Sequence, residues 1–160
     1  MLESLQRRYD ANSKLILTLK NGEYVSFPIE ELDELHNLYI AVRGSGGIAD
    51  ELILETAEHT YKVISEHNIR YVLNNGESKV VRQDGSEVAS NTLLPSAFFV
   101  MNVGKEGENV VGYTLSGGGY GHGVGMSQNG AKNMAQSGYT SDQILTFFYE
   151  ECAVKNVYEQ

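Results

Sequence analysis

Four side chains able to stack or hydrogen-bond against a ligand, Tyr120, His122, Ser127 and Gln128, fall within the run Gly117 to Ala131 (GGGYGHGVGMSQNGA). A phenol brings an apolar face with a polar tip, and an imidazole, a hydroxyl and a carboxamide each donate and accept. Glycine occupies every second position from Gly117 through Gly125. In an extended strand alternate side chains face opposite sides, so one face of this segment would be bare. The other would present Gly118, Tyr120, His122, Val124 and Met126. Interior glycine weakens a strand, so its repetition points to close approach of the backbone by a ligand or a packed neighbour. Gly121, Gly123 and Gly125 are the expected positions of that approach.

Other chemistries fit these residues less well. Ser127 is not on a nucleophile elbow, because Gly125-Met126-Ser127-Gln128-Asn129 lacks the second glycine; a helix cap is the competing role for its hydroxyl. A P-loop fails because Ala131 separates Gly130 from Lys132, and a dinucleotide fingerprint would need glycine where His122 stands. His36, His59, His67 and His122 show no paired-ligand spacing and no clustered carboxylate or thiol, so neither a metal nor a cofactor is expected. The carboxylates form no convincing catalytic pair. Glu106 and Glu108 lie in an apparent hairpin loop, Asp142 in a helix cap, and Glu150 and Glu151 at a solvated helix end.

The elements that must position the run read as an α+β fold, mainly antiparallel strands and hairpins with short helices. Leu2, Leu5 and Tyr9 are spaced for one face of a helix. Lys14–Lys20 and Glu23–Phe27 flank Asn21-Gly22, a two-residue hairpin signal. Pro28 opens an expected helix through Leu38, with Ile29, Leu32, Leu35 and His36 facing inward. Tyr39–Arg43, Glu51–Thr56 and Thr60–Ile64 read as strands, and Ser65 caps a short helix carrying Ile69, Val72 and Leu73. Asp84-Gly85 marks a turn in the polar stretch from Asn74 to Asn91. Phe98–Val103 and Val110–Leu115 form a hairpin that runs into the glycine segment. A helix then starts at Met126 or Ser127 and ends near Gly138. Thr140-Ser141-Asp142-Gln143 matches a capping box, followed by Ile144, Leu145, Phe147 and Phe148 on a buried face. Val154–Tyr158 is expected to be a closing strand.

With 160 residues and 41% hydrophobic content, the chain can bury one or two small cores. A formal net charge of −9 argues against a nucleic-acid binder, which carries a basic stripe, and against attraction to an anionic membrane. The single cysteine, Cys152, rules out an internal disulfide framework and is expected half-buried near the last helix. Met1-Leu2-Glu3-Ser4 lacks a basic leader region, and no apolar run approaches the roughly 18 residues of a membrane span. Taken alone, these features describe a soluble chain.

The glycine run also resembles a family signature. It is similar to that of the stage II sporulation protein D family, also called amidase enhancers, whose pattern is G-R-G-W-G-H-G-V-G-M-S-Q-W-G-A. Gly121 to Gln128 matches without a gap, and Gly130-Ala131 follows in register. Gly118 stands where arginine is usual, and Tyr120 and Asn129 where tryptophans are usual. Weaker similarity runs upstream from about Tyr39 and downstream through Phe147-Phe148-Tyr149. The resemblance divides the chain into residues 1–38, an N-terminal helix and hairpin portion, and residues 39–160, the C-terminal half of a family domain.

That family cleaves peptidoglycan glycan strands as lytic transglycosylases, or assists an amidase that strips the stem peptides. The resemblance implies a peptidoglycan-processing protein, the substrate-cleft half of a transglycosylase acting on denuded strands in sporulation or cell-wall remodelling. A non-catalytic glycan-binding or amidase-enhancing module is the alternative. It further implies glycan strands and a cell-wall amidase as partners, no nucleic acid, no membrane insertion by these residues, and a place in the cell envelope within a longer anchored or secreted protein. The family's catalytic glutamate belongs to a proline- and alanine-rich segment with no counterpart around Pro28 or Pro95, so the chain is expected to be inactive alone. Within the signature, His122 orients a carboxylate or bonds a sugar hydroxyl or N-acetyl group. Gln128 bonds an N-acetyl amide or braces the loop. Tyr120 stacks on a sugar face or fills space beside the glycines, and Ser127 bonds substrate or caps.

Overall fold

Asn21 and Gly22 reverse the chain with φ of 53° and 87°, the left-handed pair that a two-residue hairpin loop needs. They join β1 (Ile16–Lys20) to β2 (Glu23–Val25), the first two strands of a five-stranded antiparallel sheet. β3 (Leu35–Arg43), β4 (Ala49–Thr56) and β5 (Thr60–Ile64) complete it in the order β2-β1-β5-β4-β3. The computed structural model describes residues 1–29, 31–32, 34–74, 76, 79–89, 93–156 and 158. Two compact units divide the chain, Met1–His122 and Gly123–Gln160. The fold is α+β, as the hairpin signals imply.

In the first unit, alternation along the strands sends Ile16 and Thr18 of β1, and Tyr61 and Val63 of β5, to one buried face. Leu52 and Leu54 of β4 join them, and helices cover that face. α1 (Leu2–Ala11) contributes Leu5, and α2 (Glu66–Val72) contributes Ile69 and Val72. Each buried Leu, Ile or Val among them stabilises the fold by about 1.5–3 kcal/mol. Asn68 ties the two helices together: its amide donates to Ile64 O and Ser65 Oγ, while its oxygen accepts from Arg8 Nε at 2.6 Å. Ser65 is the N-cap of α2, but at φ 78° its hydroxyl accepts from Asn68 and caps no backbone amide.

The helix expected from Pro28 to Leu38 is not formed by the described residues there. Leu35 to Leu38 pair with β4 instead, through a register shift between Leu35 and Asn37. Ile29 enters the core from an irregular segment, and Tyr61 Oη donates to Glu31 O at 2.6 Å. The ladder supplies backbone bonds and burial together, which outweighs a proline-start signal. A boundary between residues 38 and 39 falls inside β3.

Two hairpins finish the first unit. β6 (Lys79–Val81) and β7 (Glu87–Ala89) pair around Asp84-Gly85, where only a turn was expected. Ser86 N–H donates to Asp84 Oδ1, and the Ser86 hydrogen bonds hold the Asp84 carboxyl below its ordinary range. β8 (Phe99–Glu106) and β9 (Asn109–Gly117) form the longer hairpin, and β9 runs beside β3.

The second unit holds α3 (Gln128–Gln136) and α4 (Ser141–Phe148). Ser127 caps α3, its oxygen accepting from Gly130 N–H at 3.0 Å. Gly138, at φ 90°, ends it with the paired bonds Gly138 N–H to Ala135 O and Tyr139 N–H to Met134 O. Thr140 and Gln143 make the expected reciprocal capping box. The burial expected of α4 is only partly met: Ile144 is buried, Leu145 and Phe148 are half-buried, and Phe147 is exposed. Residues 152–156 form no strand, and Cys152 is exposed rather than half-buried.

Candidate functional site

The first stretch of the glycine run rests on a segment that α2 holds from below. Arg70, nearly buried, donates through Nε to Leu94 O at 2.8 Å and through Nη2 to Pro95 O at 3.2 Å. Its Nη1 meets Glu66 Oε2 at 3.1 Å, an ion pair one helical turn apart. A planar guanidinium can satisfy three acceptors at once, so one side chain fixes the whole bend. From that bend Ser96 Oγ accepts from Phe98 N–H and donates to Gly118 O. Gly118 N–H donates to Phe98 O at 3.0 Å, and Gly121 N–H donates to Pro95 O at 2.9 Å.

The glycines do not form the bare-faced strand that alternation suggests. β9 ends at Gly117, and Gly119, Gly121, Gly123 and Gly125 take φ of 84°, 113°, 71° and 130°. L-residues rarely adopt these values, so the alternation serves a repeatedly left-handed backbone. Close approach occurs at Gly117, where an added Cβ would sit 2.7 Å from Phe99 Cα. At Gly121 no described part of the chain comes within 4 Å of such a Cβ. A packed neighbour is therefore the reason for Gly117, and conformation is the reason for Gly121.

Alongside this braced segment runs a groove of about 940 Å³. One wall is the β6 side of the small hairpin, with Lys79, Arg82 and Gln83; the other is β9 from Tyr113 to Gly117 and on to Gly119. Leu94–Ser96 and Phe98 close it. Tyr113 Oη donates to Leu73 O at 2.6 Å, and burial raises its phenol above the ordinary value. A second hollow of about 270 Å³ lies on the Arg43 and Gly47 side and shares Phe98, Phe99, Ser116 and Gly117 with the first. No carboxylate lines either hollow among the described residues.

Residues 7–125 match the family described as Domain of unknown function (DUF8618). The chain belongs to this family. A second match is to the "Amidase enhancer" of Bacillus subtilis (strain 168), 60% identical over 37 residues, which is 23% of this chain and 5% of that protein. The chain thus spans a small fraction of that relative's length. No solved structure matches.

The DUF8618 region contains every residue of both hollows and ends at Gly125 within the glycine run. The four side chains singled out from the sequence are divided between the two units. Tyr120 and His122 close the first unit, Tyr120 at 94% exposure and His122 also exposed. Ser127 and Gln128 open the second, as the cap and first residue of α3, and Gln128 is exposed. Met126 is half-buried, and its N–H donates to Tyr149 Oη at 3.4 Å. Glu106, Glu108, Asp142, Glu150 and Glu151 are all exposed. Sequence reasoning missed Arg70, Ser96 and the cations of β6 and its turn. A charged residue set between Ile69 and Val72, one helical turn after Glu66, was the available signal for Arg70. No described helix is long and apolar enough to cross a membrane.

Proposed function

We propose that the chain is the glycan-holding part of a cell-wall-processing protein, binding a denuded peptidoglycan strand along the groove beside β9 without cleaving it. The match to a protein named for amidase enhancement supports a cell-wall-related role. The observation that carries the finer reading is the groove itself: hydroxyls, aromatic rings and bare glycine backbone line it, and no carboxylate does among the described residues. Glycosidic cleavage needs a carboxylic acid at the scissile oxygen, whereas holding a sugar chain needs stacking and hydrogen bonds. In this reading Tyr120 offers a stacking face and His122 bonds sugar hydroxyls or N-acetyl groups at the end of the first unit; Gln128, taken by itself in the second, can make the same kind of bond. Ser127 keeps its O–H as a donor while its oxygen caps α3. Gly121, Gly123 and Gly125 let the backbone bend against the strand. The chain works in the cell envelope as part of a longer protein.

Incubating the purified chain with denuded peptidoglycan tests this. Co-sedimentation with the strands and no anhydro-sugar products by mass spectrometry is the expected result. Products abolished by mutating one acid within the chain would overturn it. The amidase-assisting alternative is favoured if adding the chain accelerates a cell-wall amidase on intact peptidoglycan while strand binding stays absent.

A further inference from the structure

We infer that the groove selects for negative charge on its ligand: Arg82 and Lys79 bind carboxylates carried along the glycan strand. This rests on the glycan reading and adds the chemical feature recognised. The chain carries 21 acidic and 12 basic side chains, so the charged residues of an unselected hollow would be mostly acids. The two adjoining hollows instead collect Arg43, Lys79 and Arg82 and no acid among their described lining.

These three cations differ in what they are free to do. Arg43 is committed, donating to Gly47 O at 2.9 Å and to Phe99 O at 2.8 Å. Lys79 is shared, with Glu87 at 2.7 Å on the neighbouring strand, an exposed pair that a competing carboxylate can displace at little cost. Arg82 is exposed, and its side chain has no hydrogen bond or ion pair among the described residues. A guanidinium with no partner among the described residues, on the wall of a groove whose described lining holds no acid, is suited to a bidentate carboxylate. The opposite wall supplies what a sugar needs and a charge does not: Thr114, Ser116 and the Gly117–Gly119 backbone.

A strand stripped of its stem peptides carries one lactyl carboxylate on each muramyl residue, spaced by a neutral sugar. Such a strand meets a cation on one wall and hydroxyls on the other. An uncharged N-acetylglucosamine polymer satisfies only the second wall. A strand still bearing peptides has those carboxylates tied up in amide bonds.

The test measures binding of the full chain to three probes at fixed ionic strength: denuded strands, the same strands with their carboxylates capped by carbodiimide coupling to methylamine, and chitohexaose. Denuded strands are expected to bind about tenfold tighter than capped ones, the worth of one partly exposed charge-assisted hydrogen bond. Arg82→Gln should remove most of that difference, and Arg82→Gln with Lys79→Gln all of it, while leaving the capped strands' affinity unchanged. Equal affinity for all three probes, unaltered in Arg82→Gln, would overturn the charge reading and leave the glycan reading standing. Binding to none of them would sink the glycan reading and this inference with it. Equal binding of polyglutamate would show a general polyanion site and overturn the assignment to a glycan.

Discussion

Arg70 and Gly121 meet at one atom: the carbonyl oxygen of Pro95 accepts from the Arg70 guanidinium at 3.2 Å and from the Gly121 N–H at 2.9 Å. A buried ion pair on α2 is thereby linked, through a single peptide, to the middle of the glycine run. The run takes its path from this brace as well as from its own flexibility, since Gly121 has an anchored donor at a backbone conformation that would otherwise be one of many.

Arg70→Ala should therefore do more than remove surface charge. It leaves Glu66 and two carbonyls without their donor in a nearly dry setting, and loss of one partner of a buried pair costs about 3–5 kcal/mol. Arg70→Lys cannot serve three acceptors in different directions and should recover less than half of that. Glu66→Gln, which keeps an acceptor, should cost about 1 kcal/mol. Chemical denaturation ranks the three. Amide exchange at Gly121 should speed up in Arg70→Lys under conditions where the core remains folded. Unchanged exchange there would show that the Pro95 link does not hold the run.

Gly117 and Gly121 separate two reasons for glycine. At Gly117 a Cβ collides with the Phe98 carbonyl and the Phe99 backbone, so Gly117→Ala should destabilise by about 1–3 kcal/mol through overpacking. At Gly121 space is open but φ is 113°, so Gly121→Ala should cost about 1–3 kcal/mol through backbone strain alone. A larger residue distinguishes them. Valine should worsen position 117 sharply over alanine and change position 121 much less. Gly112→Ala on β9, with open space and ordinary φ, is the control and should lie within about 0.5 kcal/mol of wild type. A thermal-melt series over these variants decides it.

The contrast between those glycines also shows where sequence reasoning reached its limit. The Asn21-Gly22 turn and the Thr140–Gln143 capping box are local signals, satisfied by bonds within a few residues, and the structure forms both. The segment from Pro28 to Leu38 has a helical spacing of apolar residues, yet its C-terminal part pairs with β4, a partner that local spacing cannot reveal. The glycine alternation was real, but a period of two reads as a strand only if φ is negative, and the sequence does not report the sign of φ. Val80, Val81 and Val88 around Asp84-Gly85 did carry a hairpin pattern, obscured by its polar surroundings. For the site, Tyr120 and His122 are exposed as a contact surface requires, while the groove depends on Arg70 and Ser96, whose roles are set entirely by tertiary bonds.

Tyr113 gives the groove a pH-dependent support. Burial raises its phenol above the ordinary value of about 10. The protonated form is the one that donates to Leu73 O, so its contribution is fully present below about pH 10 and is lost as pH rises through the higher folded value. Tyr113→Phe removes the donor and should cost about 1 kcal/mol at neutral pH. The variant should also lose less stability than wild type between neutral pH and pH 11, because it has no buried phenol to ionise. Urea denaturation at both pH values measures this. Equal alkaline losses in the two proteins would mean that Tyr113 ionises as freely in the folded chain as in the unfolded one.

In the second unit, α3 has no buried residue, so its N-terminus matters more than it would in a packed helix. Ser127→Ala removes the oxygen that accepts from Gly130 N–H and should cost the helix about 1 kcal/mol. Ser127→Asp retains a capping oxygen and places a negative charge at an N-terminus whose first turn has no acidic residue. It should restore α3 to at least its original protection. Thr140→Ala breaks the capping box of α4 and should lower protection there by a similar amount, leaving α3 unchanged. Residue-by-residue amide exchange reads each effect on its own helix. If Ser127→Ala left α3 exchange unchanged, capping would not be what holds the helix, and the Ser127 hydroxyl would have to owe its place to ligand contact alone.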